Sequence, residues 1–90
     1  MANRYLVGSG DWSSTGIWST TSGGSSGASV PGTSDVAYLN KNYTVTLSAN
    51  VSTGSVSQTN GTLNFVSYTM TAYSFTSSAT VNFGSGGITL

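Results

Sequence analysis

A four-residue pattern returns along this chain at a fixed step of 18 positions. Thr44-Val45-Thr46-Leu47 recurs as Thr62-Leu63-Asn64-Phe65 and again as Thr80-Val81-Asn82-Phe83. The same step carries Met70 to Ile88, Thr71 to Thr89 and Ala72 to Leu90. Going backwards, Met70 meets Val51 and Phe75 meets Val56 once one residue is deleted. An internal period constrains architecture strongly, because equivalent residues take equivalent places. A step of 18 exceeds the dozen or so residues that a parallel connection requires. The period therefore predicts an all-β fold, a short parallel β-solenoid with rungs of about 18 residues, each hydrogen-bonded to the next roughly 4.8 Å away.

Within each repeat, apolar residues alternate with hydroxyl or amide residues, the pattern of a half-buried strand. Four inward columns follow: Val45–Leu63–Val81, Leu47–Phe65–Phe83, Val51–Met70–Ile88 and Val56–Phe75. Thr44, Thr46, Thr62, Asn64, Thr80 and Asn82 then face outward, as a period of two requires. There is an alternative. Asn60-Gly61 is a two-residue hairpin signal, and an antiparallel β-sandwich or jelly roll built from short strands would give similar spacing. In a parallel coil the same Asn-Gly pair serves as a corner.

Composition divides the chain in two. Residues 1–34 hold Tyr5, both tryptophans and a Gly/Ser-rich loop over 22–34, and form an N-terminal docking or cap segment. Residues 35–90 form the β-repeat region. A short stack of rungs needs its first layer shielded, and Trp12 and Trp18 are the bulky pair available to cap it. Tyr5, Trp12, Trp18 and Tyr38 are the candidate interface or cap residues, since Trp and Tyr anchor interfaces. Tyr68 and Tyr73 fall near strand ends and read as plain surface residues.

The charged side chains are Arg4, Asp11, Asp35 and Lys41, and the chain has neither Glu, His nor Cys. General acid–base catalysis needs a positioned titratable group, and this supply argues against an enzyme; no catalytic residue is expected. Metal sites draw on the same residue types, so no cofactor or metal is expected, and Asp11 and Asp35 read as turn or capping residues. A neutral chain without a basic patch gives no footprint for nucleic acid. No apolar run approaches the roughly 18 residues of a membrane helix, so no membrane insertion is expected.

The N-terminus lacks the apolar core of a secretory signal, and the absence of Cys leaves no disulfide framework. Ser and Thr make up 32 of the 90 residues, a composition suited to an extracellular surface. A virion component made in the host cytoplasm satisfies both facts; a secreted protein already freed of its signal is the alternative. Three Asn-x-Ser/Thr sequons, at Asn42, Asn50 and Asn60, are the number chance supplies in so hydroxyl-rich a chain. The Gly84–Gly87 run lacks the lysine of a P-loop and reads as a turn.

Arg4-Tyr-Leu-Val-Gly-Ser-Gly-Asp-Trp12, Ile17-Trp18-Ser19, Gly23-Gly24, Gly27-Ala-Ser-Val-Pro31 and Ser34-Asp-Val-Ala-Tyr38 form an ordered series. It resembles the opening of phage virion surface proteins of the tail-fibre or head-decoration type, in which a Trp/Gly-rich segment precedes β-solenoid repeats. The chain departs from that pattern at Leu6, where Trp is common, and at Ser9, where a second Gly is common. The resemblance implies a structural role at a virion or cell surface; the reading preferred is a bacteriophage virion structural protein, a tail fibre, appendage or capsid decoration component, acting by docking and assembly at the virion surface. It implies no catalytic residues. The partners it implies are other virion proteins and a host-surface glycan.

The last apolar residues, Ile88 and Leu90, fall in mid-strand by pattern, which leaves an unpaired edge. Either the chain is the N-terminal piece of a longer protein or neighbouring subunits cover that edge. The second case makes it a homo-oligomer, a trimer by analogy with fibres. A secreted bacterial adhesin or glycan-binding surface module is the alternative function. A polysaccharide-degrading tailspike is a third reading, and would need carboxylates outside these residues.

The inward columns are directly testable. Phe65→Asp places an unpaired carboxylate in a narrow core, at a cost of several kcal/mol. The variant is expected to lose its β-type circular dichroism; a folded variant would contradict the assignment of inside and outside.

Overall fold

The structure, a computed structural model, describes residues 3–90; the first two positions of the N-terminal segment lie outside them. The strands are β1 (Asn3–Leu6), β2 (Gly10–Asp11), β3 (Trp18–Ser19), β4 (Val36–Leu39), β5 (Thr44–Thr46), β6 (Val51–Gln58), β7 (Thr62–Asn64), β8 (Thr69–Ser77), β9 (Thr80–Asn82) and β10 (Gly87–Thr89). A 3-10 turn spans Thr15–Ile17, capped by the Ser14 side chain, which accepts from the Gly16 N–H. The described residues contain no α-helix.

Two sheets result, one in the order β10-β8-β6-β4-β1-β3 and one in the order β2-β5-β7-β9. From β4 onward the chain alternates between them. Consecutive members of one sheet are therefore separated by a strand of the other, and they run parallel. Only β3 runs antiparallel to its neighbour, β1. Leu63 pairs in parallel with Val45 on one side and Val81 on the other. Asn60-Gly61 is a corner between β6 and β7, which belong to different sheets; the Asn60 side-chain oxygen accepts from the Gly61 N–H at 2.8 Å. The antiparallel sandwich is thus not the arrangement adopted.

The inward columns stack in register. Val51 meets Met70, and Met70 meets Ile88; Val56 meets Phe75. Past the ends of β5 and β7, the Leu47 and Phe65 N–H groups donate to the Asn64 and Asn82 carbonyls, at 2.9 and 2.8 Å. The Phe65 and Phe83 rings lie 5.0 Å apart. Val45, Leu47, Val51, Val56, Leu63, Phe65 and Met70 are buried. The last member of each column, Phe75, Val81, Phe83 or Ile88, is only partly covered or exposed.

The single-residue mismatch in the repeat has a location. Leu47 and Val51 are four positions apart, whereas Phe65 and Met70, like Phe83 and Ile88, are five apart. The longer corners place Val66 at φ 63° and Gly84 at φ 59°, one repeat apart. Each closes with the same turn: Tyr68 N–H to Phe65 carbonyl at 3.0 Å, and Gly86 N–H to Phe83 carbonyl at 2.8 Å. Glycine adopts this left-handed backbone freely, but a β-branched residue does so only under strain.

Alternation also slips inside β6, where Thr53 and Gly54 are both buried. Here the 32–35 turn lies against the strand. The Gly54 N–H donates to the Gly32 carbonyl at 2.9 Å and the Ser55 N–H to the Asp35 carbonyl at 3.1 Å. A Cβ at position 54 would strike the Asp35 carbonyl oxygen, so glycine is required by the close approach.

Gln58, buried at the end of β6, ties the layers together. Its amide nitrogen donates to the Thr80 carbonyl at 2.9 Å, and its oxygen accepts from the Ser77 hydroxyl at 2.8 Å. A buried amide satisfied in this way helps to specify register.

The shift in composition at 34/35 does not divide the core. β1 pairs with β4, and β2 with β5. Leu6, Trp12, Ile17 and Trp18 share one apolar cluster with Leu39, Val45 and Leu63. The N-terminal segment is thus the first layer of the same body, lengthened by the Gly/Ser-rich loop.

Relieving the strain at Val66 should stabilise the fold, because its side chain is 52% exposed and little packing is lost. The left-handed backbone costs an L-residue about 1–2 kcal/mol, and the entropy glycine adds to the unfolded chain returns part of that gain. Val66→Gly is expected to raise stability by about 0.5–1 kcal/mol, a Tm increase of several degrees for a domain this size. A lower Tm in a thermal melt would contradict this reading.

Candidate functional site

The aromatic residues singled out by the sequence fall into two groups. Trp18 lies in β3, opposite Leu6. Trp12 follows β2, and its N–H donates to the Thr46 carbonyl at 3.0 Å. Both side chains are essentially inaccessible. Their rings meet edge-on with centroids 4.9 Å apart, a favoured geometry for aromatic pairs. The Trp18 indole N–H donates to the Trp12 carbonyl at 2.8 Å. The Trp12 indole nitrogen is buried without a hydrogen-bond partner. Neither tryptophan presents a ring face to a sugar or a protein; both fill the first layer.

Tyr5 and Tyr38 occupy neighbouring places on the parallel pair β1 and β4. Their rings stack with centroids 4.9 Å apart and planes 13° apart. The file continues along the sheet through Ser57 and Thr76. Each tyrosine is half-buried, so the pair forms an outward aromatic patch with part of its ring surface consumed by mutual stacking. Tyr68 is partly buried against the core. Tyr73 is the most exposed aromatic residue, at 86%, and lies within β8 rather than at its end. It stands where the pairing of β6 with β8 skips a position, opposite Gly54. The alternation of apolar and polar residues carries no signal for that interruption.

The charged groups serve local structure. The Arg4 guanidinium donates to the Ser29 carbonyl at 2.8 Å and to the Ser29 hydroxyl at 2.7 Å, fastening the Gly/Ser-rich loop to β1. Asp35 accepts from the Gly32 N–H at 2.7 Å and closes the turn that meets Gly54. Asp11 accepts from the Ser13 N–H at 2.9 Å. Hydrogen bonds from the Ser48 hydroxyl first, and from the Ser13 N–H, lower its pKa below the ordinary carboxylate value. Among the described residues, no three His, Cys, Asp or Glu side chains gather into a potential metal site. No pocket opens among them, and no helix is long and apolar enough to cross a membrane.

The exposed features are the Tyr5–Tyr38 patch, the projecting Tyr73, and the outer edges of β9 and β10, the last strands of their sheets. No protein-family model matches the chain, and comparisons with curated proteins and with solved structures gave no match.

The depressed Asp11 pKa has a definite sign in stability. The charged form is favoured in the folded state, so the contribution is complete above the unfolded pKa of about 3.9. It is lost as pH falls through the lower folded value. Asp11→Asn is expected to be less stable at pH 7 and to show a flatter stability profile below about pH 4. Urea titrations at pH 7, 4 and 2 check this; an unchanged profile would contradict it.

Proposed function

We propose that the chain is a structural component of a bacteriophage virion, in a tail fibre, appendage or capsid decoration, and that its layers are those of a short β-solenoid. The observation that carries the solenoid reading is the in-register stacking of Val45, Leu63 and Val81 on three parallel strands. Between those strands the chain visits the other sheet once per repeat. On this reading Trp12 and Trp18 cap the first layer, and the role is mechanical. Stacked parallel strands present few free backbone groups along their sides, so the body is stiff and resists proteases. Docking uses sheet edges and aromatic side chains instead of a cleft.

The virion assignment is supported by the ordered series from Arg4 to Tyr38 and its resemblance to the opening of phage surface proteins. It is also consistent with where those residues lie. They build the first layer, with the loop fastened by Arg4 and the core filled by both tryptophans. The partners are other virion proteins and further copies of the chain. Tyr73 is the ring that a host-surface glycan would meet.

Immunogold labelling of purified phage particles with an antibody raised against residues 42–90 tests the assignment. Label on intact particles is expected. Recovery of the protein from the bacterial culture medium or cell surface, with unlabelled particles, would contradict it and favour the adhesin reading.

A further inference from the structure

Asn60-Gly61 is the one Asn-Gly pair in the chain; the other six asparagines precede Arg, Lys, Tyr, Val or Phe. Asparagine is a chemically labile residue. Its side-chain carbonyl carbon can be attacked by the backbone nitrogen of the next residue, and a following glycine, having no side chain, leaves that approach unhindered. A folded chain adds three conditions. The nitrogen must be free of the sheet, the amide carbon must be held beside it, and water must reach the site.

The corner between β6 and β7 meets all three. Among the described residues, the acceptor of the Gly61 N–H is the Asn60 side-chain oxygen, at 2.8 Å, and no strand claims it. That contact sets the amide carbon, one bond beyond the oxygen, next to the nitrogen that must attack it, the kind of placement that removes much of a reaction's entropic barrier. Rotation about the Cβ–Cγ bond turns the face of the amide to the nitrogen and leaves the carbon in place. Asn60 is exposed, so water has access. The backbone is held on the near side, where the Thr59 and Asn60 N–H groups donate to the Leu39 carbonyl at 3.0 and 3.2 Å. Glycine is also required at position 61. Its φ is 78°, a conformation that glycine adopts freely, and a Cβ there would strike the Tyr43 carbonyl oxygen. The fold thus demands the residue that leaves Asn60 open to attack.

We propose that Asn60 is a site of spontaneous covalent modification, at which the folded corner promotes loss of the side-chain amide. Hydroxide takes the proton of the Gly61 N–H, and the nitrogen forms a bond to Asn60 Cγ. The Cγ–Nδ2 bond breaks, and the nitrogen that leaves takes up a proton from water and departs as ammonia. Water then opens the cyclic imide. Attack at Cγ breaks its new bond to the Gly61 nitrogen and gives an aspartyl residue at position 60. Attack at the Asn60 main-chain carbonyl carbon breaks the original peptide bond and gives an isoaspartyl link, in which the chain runs through the side-chain carbon. One water is consumed and one ammonia released, with no oxidation or reduction. The two products differ in their effect on the fold. An aspartyl carboxylate still accepts from the Gly61 N–H. The isoaspartyl link adds one carbon to the main chain between Gln58 and β7. Beyond the corner, the Gly61 carbonyl accepts from the Thr80 N–H at 3.3 Å and the Thr62 N–H donates to the Tyr43 carbonyl at 3.0 Å. The added carbon pulls these bonds out of step with Gln58, whose amide reaches the same Thr80. The inference is independent of the virion reading.

Peptide mapping by chromatography and mass spectrometry tests the proposal on protein incubated at neutral and at alkaline pH, folded or unfolded in guanidinium chloride. The expected result is a mass change equal to the exchange of NH for O at Asn60 before any other asparagine. It should be faster at the higher pH, and at least as fast in the folded protein as in the unfolded chain. Asn60→Gln, whose longer side chain would have to close a larger ring, should stay unmodified over the same period. The isoaspartyl form, separated from the aspartyl form, should melt below the unaltered protein, whereas Asn60→Asp should melt with it. Slower reaction in the folded protein than in the unfolded chain, or another asparagine reacting first, would overturn the site. An isoaspartyl form as stable as the unaltered protein would overturn its effect on the layers.

Discussion

In a parallel ladder, a side chain stands on the side chain one repeat earlier. Such a chain can fill its interior only if each repeat supplies an apolar residue at the same places. Here Leu63 and Phe65 sit under Val81 and Phe83 and over Val45 and Leu47, and these middle members are fully buried. The other features accommodate this constraint. Corners absorb differences in repeat length, at the expense of a left-handed backbone at Val66. The loop at 32–35 presses on β6 where glycine leaves room. Gln58 joins layers that apolar contact alone would leave free to slide.

Much of this was legible in the sequence because a parallel register is itself a statement about sequence separation. The step of 18, with one residue deleted for Val51–Met70 and Val56–Phe75, named all four columns and the faces of their strands. The deletion needed between Val51 and Met70 marked a corner of unequal length, and Val66 is the residue that occupies it. Other features had no such signature. Tyr5 and Tyr38 are 33 positions apart, and no multiple of the repeat links them. Only the pairing of β1 with β4 brings their rings together. The sequence favours a cap over an interface for the tryptophans, but residue type alone does not reveal whether a ring is covered. Nothing in the sequence singles out Gln58, since the Thr80 carbonyl that satisfies it is 22 positions away.

The division of charge connects the fold to its proposed role. Arg4, Asp11 and Asp35 each secure a turn or loop in the first layers. Beyond Lys41 the chain relies on backbone pairing, apolar columns and outward hydroxyl and amide groups, such as the Asn82 amide donating to the Asn64 side-chain oxygen at 2.8 Å. In the first layers the charged groups fix loops; further along, parallel pairing and stacked apolar residues hold the body together. The virion proposal adds to this mechanical reading only the resemblance carried by the series from Arg4 to Tyr38.

The central claim is that equivalent residues of successive repeats lie side by side on parallel strands. The most direct measurement is a set of nuclear Overhauser contacts from the backbone of Leu63 in the isotopically labelled protein. Contacts from Leu63 to both Val45 and Val81, with the pattern of parallel pairing, are the predicted result. Contacts across Asn60-Gly61, pairing Thr62 and Leu63 antiparallel with Thr59 and Gln58, would contradict the account.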